Sequence, residues 1–169
     1  MKRTVIFSML CFLLSSNFLF AQNEKLKTVF IYNFTKYIQW PEESSNDNFV
    51  IGVVGRTKLT KELEELAKVK KVGNQVVQIK KLENPSEAAD VNILLISASS
   101  SDQLASAKAS YQGLPTLIVC EEEGLVKAGA GINFVSEDGR LHFEISKSNI
   151  EAHSLKVSSQ LLSLGKEVL

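Results

Sequence analysis

Short, nearly unbroken aliphatic runs alternate along this chain with amphipathic stretches, and that alternation restricts the fold more than any other feature. Phe49 to Gly55, Val91 to Ile96 and Pro115 to Cys120 are each far too short to span a membrane, and they lack the polar alternation of a strand with one wet face. Runs of this kind belong to strands covered on both sides, and hence to a largely parallel sheet flanked by helices with right-handed crossovers. Between the runs, Leu59, Leu63, Leu66 and Ala67 mark a helix behind Thr57 or Thr60 as a cap, and Leu104, Ala105 and Ala109 mark another that packs closely through small residues. Gln75 to Leu82 alternates and reads as a further strand. Upstream, Leu26, Phe30, Phe34 and Tyr37 recur at helical spacing, Val29, Ile38 and Trp40 widen the face, and Pro41 stops it; the polar stretch from Glu42 to Asn48 is a loop.

The last fifty or so residues break the rhythm. Ile132 to Ser136 and Arg140 to Ile145 flank Glu137-Asp138-Gly139, which signals a β-hairpin. Ser148 and Glu151 have capping-box spacing, and Ile150, Val157, Leu161, Leu164 and Val168 then predict one face of a long closing helix. The expected fold class is therefore α/β: a largely parallel sheet flanked by helices, with a C-terminal antiparallel β-hairpin and a long closing helix.

At the other end, Lys2 and Arg3 precede an apolar stretch from Val5 to Phe20 that closes on Ala21, the pattern of a secretory signal peptide. Residues 1–21 are expected to be removed, leaving 22–169 as a single α/β domain outside the cytoplasm, in the periplasm. Ser15, Ser16 and Asn17 interrupt a stretch already short for a membrane span, which argues against stable membrane insertion after cleavage. Leu10 before Cys11, with more apolar sequence after it, argues against lipidation there, and Leu19 fixes the cut only to within a few residues. Taking Lys2 and Arg3 from the 19 basic residues, against 19 acidic ones, leaves the mature chain at about minus two, which does not suit a nucleic-acid binder. Cys120 is then the lone mature cysteine, within a strand, and reads as a structural, inert thiol.

Catalytic chemistry is thinly represented. The two histidines are His142 and His153, and His142 shares a strand face with Glu144 as expected of solvated positions, with no third ligand at a metal-binding spacing. Gly52 and Gly55 follow a strand but lack the G-x-G-x-x-G pattern and a Walker lysine, and Gly129-Ala130-Gly131 reads as the turn into the hairpin, so no cofactor is expected. An exported enzyme would need one cavity gathering His142, Glu144 and Asp138. Within the aromatic cluster Phe30, Tyr32, Phe34, Tyr37 and Trp40, most members suit a core, whereas Tyr32 and Trp40 fall off the main stripe. Tyr32, Lys36, Trp40 and Arg140 are the candidate partner-binding residues; no catalytic, cofactor-binding or metal-binding residues are expected.

Five blocks carry a resemblance to a known family: Phe30 to Pro41, Phe49 to Gly55, Gly129 to Phe134, Arg140 to Ile145 and Leu155 to Leu162. In that order they resemble YfiR-like periplasmic proteins. The resemblance implies a non-enzymatic α/β domain, often a homodimer, which in the best-known members restrains a membrane diguanylate cyclase by binding its periplasmic part. It implies a periplasmic regulatory or adaptor protein whose partner is a membrane signalling protein: a cyclase, a histidine kinase or another receptor ectodomain. Some members carry cysteine pairs, where this chain keeps only Cys120, and the family's Asn after the Phe-Glu-Ile stretch is Ser146 here. The alternative reading is a periplasmic small-molecule-binding module, with Gly55 to Lys58 and Ser97 to Ser101 forming a crevice at the carboxyl ends of the strands.

Overall fold

The computed structural model describes residues 23–41, 48–88 and 90–168; the leader expected at 1–21 and nearly all of the loop expected at 42–48 lie outside the described residues. Helix α1 covers residues 23–37. It leads into β1 (Ile38–Gln39), β2 (Asn48–Val54), α2 (Leu59–Val69), β3 (Lys71–Val72) and β4 (Gln75–Leu82). A 3-10 turn (Pro85–Glu87) precedes β5 (Ile93–Ile96), and a 3-10 stretch (Ala98–Gln103) runs into α3 (Leu104–Ser110) and β6 (Leu117–Cys120). The chain closes with β7 (Ile132–Glu137), β8 (Arg140–Ile145), α4 (Lys147–Glu151), β9 (Lys156–Val157), α5 (Ser159–Leu164) and β10 (Lys166–Glu167).

Eight strands form one sheet in the order β10-β8-β7-β6-β5-β2-β4-β3. The β2–β4, β2–β5, β5–β6 and β6–β7 pairs are parallel, as the continuous aliphatic runs require. Along β2, Ile51 and Val53 enter the core on one face while Val50 and Val54 enter that on the other, so both sides are dry. The first face is covered by α1, α2 and the segment around Leu155 and Leu161; the second by α3 and the buried ring of Tyr111. Leu104 and Ala107 are the buried residues of α3, whereas Ala105 and Ala109 are exposed, since the inner face follows the three- to four-residue spacing of Leu104, Ala107 and the buried Tyr111.

Helix α1 runs across the first face from the carboxyl to the amino edge of the parallel strands. Lys27 near its start pairs at 2.7 Å with Glu121, just past β6, while Trp40 beyond its end donates to the carbonyl of Asn92, just before β5. The helix stops at residue 37, short of the expected Trp40, because Ile38 and Gln39 pair as β1 with Val157 and Lys156 of β9.

β7 and β8 pair antiparallel through a two-residue turn in which Asp138 and Gly139 both have positive φ, the geometry that a tight hairpin needs. Cys120, the last residue of β6, lies beside Asn133, so the remaining four residues of β7 carry the hairpin about 13 Å beyond β6 at roughly 3.3 Å per residue.

The long closing helix expected from Ser148 onward is not formed. Two short helices replace it, each begun by a serine: the Ser146 hydroxyl accepts from the Asn149 amide and the Ser158 hydroxyl from that of Leu161. Between them Ser154 turns at φ 58, Leu155 plugs the core and Lys156–Val157 pairs with β1. The apolar residues therefore do not share a face, and Leu164 remains 64 % exposed. After α5, Gly165 passes so close to the Phe143 ring that a Cβ would collide with it, and β10 then lies parallel to β8.

Two measurements check this packing. Truncating Phe34, which is fully buried, to Ala should cost about 3–5 kcal/mol, and Gly165→Ala about 1–3 kcal/mol, in urea unfolding; losses under about 0.5 kcal/mol would show that neither contact is tight. Burial also pushes the Tyr111 hydroxyl from its ordinary 10.0 to about 12 and, with the Glu122 charge second, the Cys120 thiol from 9.0 to about 12. The unfolded chain sheds both protons first, so stability should hold below about pH 9 and fall between about pH 9 and 12. Tyr111→Phe and Cys120→Ala together should flatten that fall; an unchanged alkaline slope would contradict the assignment.

Candidate interaction surface

The inner side of α1 is settled by Ile31, Phe34 and Ile38, all buried, with Phe34 packed on Phe134 and Phe143 at centroid distances of 6.3 and 5.2 Å. At 3.6 residues per turn, Val29 lies about 140° round the helix from Phe34, and Lys25, Tyr32 and Lys36 fall on the same outer side. Val29 is accordingly 49 % exposed and the neighbouring Leu26 39 %. Both belong to the broad apolar stripe of the sequence; their outward position follows once the inner face is centred on Phe34.

Tyr32 and Lys36, one turn apart, are brought together. The Lys36 ammonium sits 4.7 Å from the centroid of the Tyr32 ring and also donates to Asn33 Oδ1 at 3.2 Å. The Tyr32 hydroxyl donates to the carbonyl of Lys71, and the Lys70 ammonium lies 5.9 Å from the same ring. Lys70 and Lys71, at the junction of α2 and β3, are not among the residues the sequence points to, because their approach to α1 is a tertiary contact with no local signal. Together these residues make an aromatic platform ringed by cations beside the exposed Val29.

Trp40 and Arg140 do not join that platform. Trp40 is half-buried, its ring edge-to-face on Phe49 at 5.2 Å and its indole nitrogen donating to the Asn92 carbonyl at 3.3 Å, so it works as a core anchor. Arg140 is exposed at the hairpin turn, opposite Glu137, and no contact joins it to Tyr32, Lys36 or Trp40 among the described residues.

At the carboxyl edge, Gly55 has φ +83 and a Cβ there would collide with the hydroxyls of Ser97 and Ser100. Ser99 Oγ also accepts from the Arg56 amide at 3.4 Å and contacts Ser97 Oγ at 2.9 Å. The two loops expected to form a crevice are thus bonded to one another. The open space at this edge lies on the α1–α2 side instead, a cleft of about 590 Å³ reached by Glu24, Arg56, Thr57 and Lys61.

His142 and Asp138 are exposed, and Glu144 accepts from Asn133 Nδ2 at 3.3 Å. His153 Nδ1 lies 3.1 Å from the Tyr111 carbonyl oxygen. Among the described residues no group of three or more His, Cys, Asp or Glu could hold a metal ion, and no helix is long and apolar enough to cross a membrane.

A family model described as YfiR/HmsC-like matches residues 24–166, well over half of the chain and all five of the blocks that carry the resemblance. The chain belongs to the YfiR/HmsC-like family. No curated protein matches it. This family is periplasmic, regulatory and non-catalytic, and membership implies interaction with a membrane signalling protein. Among the YfiR/HmsC-like blocks, Gly129 takes its place through a φ of +114, whereas a Cβ at Gly131 would press on Ile150 and Leu117 at 3.0 and 3.1 Å and require them to give way. Ser146 caps α4, its hydroxyl accepting from the Asn149 amide, a role that Asn can also fill.

With its proton held by burial, the Cys120 thiol should resist alkylation in the native protein at pH 8.5 and react stoichiometrically in denaturant. Rapid labelling of native protein would show that the strand leaves it accessible.

Proposed function

We propose that this YfiR/HmsC-like chain is exported, loses residues 1–21, and works as a non-enzymatic periplasmic regulator that holds the periplasmic part of a membrane signalling protein. The observation that carries the reading is the outer stripe of α1, where exposed Leu26 and Val29 adjoin the Tyr32 ring and its lysines. An apolar strip beside an aromatic residue has the composition of a binding hot spot, and the surrounding ammonium groups favour an acidic ectodomain. Tyr32 and Lys36 make the primary contact, Trp40 holds the end of the helix from within, and Arg140 offers a separate contact on the projecting hairpin.

Regulation follows from differential affinity. A partner with active and inactive forms is driven toward whichever form this surface fits better, by no more than the difference in binding free energy. A membrane diguanylate cyclase restrained in this way is the form of the reading closest to the family's best-known members; loss of the chain would then raise cellular cyclic di-GMP.

Tagged protein incubated with solubilised membranes should enrich a signalling receptor over a control α/β protein, more strongly at low salt. Tyr32→Ala with Lys36→Glu should lower that recovery about tenfold, equivalent to about 1.4 kcal/mol, while leaving circular dichroism unchanged. Equal recovery by the variant, or no enrichment over the control, would sink the reading.

A further inference from the structure

The cleft at the carboxyl edge has a chemistry that the regulator reading does not use. Its walls come from the start of α1, the connection between β2 and α2, the first turns of α2 and Lys81 near the end of β4, so it lies at the carboxyl end of the β2–β4 pair. Open α/β sheets place ligands outside the carboxyl ends of their strands. The volume, about 590 Å³, falls within the range of sites that take organic ligands of a few hundred daltons.

Charge is unevenly settled within it. Lys27 lies 2.7 Å from Glu121 but 3.4 Å from Glu24 Oε1, so its ammonium is committed mainly to Glu121. Glu24 Oε2 is buried with no hydrogen-bond partner among the described residues, and its side chain is only 16 % exposed. A carboxylate oxygen in that position costs free energy until a donor reaches it, and the soft terminal torsion of Glu lets either oxygen turn to the cleft. The rest of the lining carries Arg56, Lys58, Lys61 and Lys81 against Glu62 and Glu64; Lys81 pairs with Glu64 at 2.8 Å, Lys61 acts electrostatically on Glu65, and the Arg56 guanidinium makes no hydrogen bond or ion pair among the described residues. The Glu24 side therefore wants a cation, and the remaining lining, with four cations against two carboxylates, an anion.

We propose that this cleft binds a short peptide with free ends, its ammonium on Glu24 and its carboxylate on Arg56 and Lys61. A doubly charged ligand satisfies both walls, whereas an inorganic anion leaves Glu24 unpartnered and a simple amine leaves the cations unpartnered. The size of the space favours a di- or tripeptide over a single ion. Thr57 stands beside Arg56 with its hydroxyl accepting from the Leu59 amide, which keeps that wall in place.

The test is a library of tripeptides with free ends, screened by thermal melting of the protein expressed without residues 1–21, the hits then titrated calorimetrically. Saturable binding is expected, weakened at least tenfold by N-acetylation of the peptide and at least tenfold by C-amidation. Glu24→Gln should abolish the preference for the free amine alone, and Arg56→Gln with Lys61→Gln the preference for the free carboxylate alone. A flat melting response across the library, or affinity indifferent to both peptide caps, overturns the proposal. The capped peptides probe the wild-type protein, so the outcome is decided even where a variant fails to fold. Tyr32→Ala should leave peptide binding intact, which separates this site from the partner surface on α1.

Discussion

Everything on the first face of the sheet depends on the contact between α1 and the hairpin. Phe30 and Phe34 lie against Phe134 and Phe143, with ring centroids between 5.2 and 6.4 Å apart in stacked and edge-to-face arrangements. Such pairs add about 0.5–1.5 kcal/mol each beyond the area they bury. The cluster joins the first helix to the C-terminal hairpin of β7 and β8, and so closes the domain on itself. It also sets the rotation of α1. With Phe34 pointing inward, Val29, Tyr32 and Lys36 have no choice but to point outward.

Trp40 illustrates the limits of periodic reasoning, because its expected outward position comes from continuing the 3.6-residue period through to Pro41. The helix ends at residue 37 and the backbone becomes extended at Ile38 and Gln39, so the period no longer applies and the indole swings over Phe49. The same pairing between β1 and β9 is what replaces the closing helix. A strand of two residues at each end of the chain has no local signature, since each supplies backbone partners to the other across more than a hundred positions. Ser146 and Ser158 are the local clues to two helix starts, and a capping-box match at Ser148 and Glu151 masks the first.

The parallel strands are legible for the opposite reason: burial on both faces writes itself into the sequence as an unbroken aliphatic run, and β2, β5 and β6 fall where those runs do. At the candidate surface, Tyr32 and Lys36 can be paired because they sit one turn apart on one helix. Lys70 and Lys71 cannot, and neither can the cleft, whose walls at Glu24 and Arg56 meet only when α1 lies across the sheet. Local chemistry is readable from the chain; the company that each group keeps is not.

The outer side of α1 is, on this view, where a membrane partner touches the protein. Photo-crosslinking in intact cells asks this directly, with a photoreactive amino acid placed at Val29 or, as a control, at Ala109, which is exposed on α3 over the opposite face of the sheet. A covalent adduct with a membrane signalling protein from position 29 and none from position 109 is the predicted result. Adducts from position 109 alone, or from neither, would contradict it.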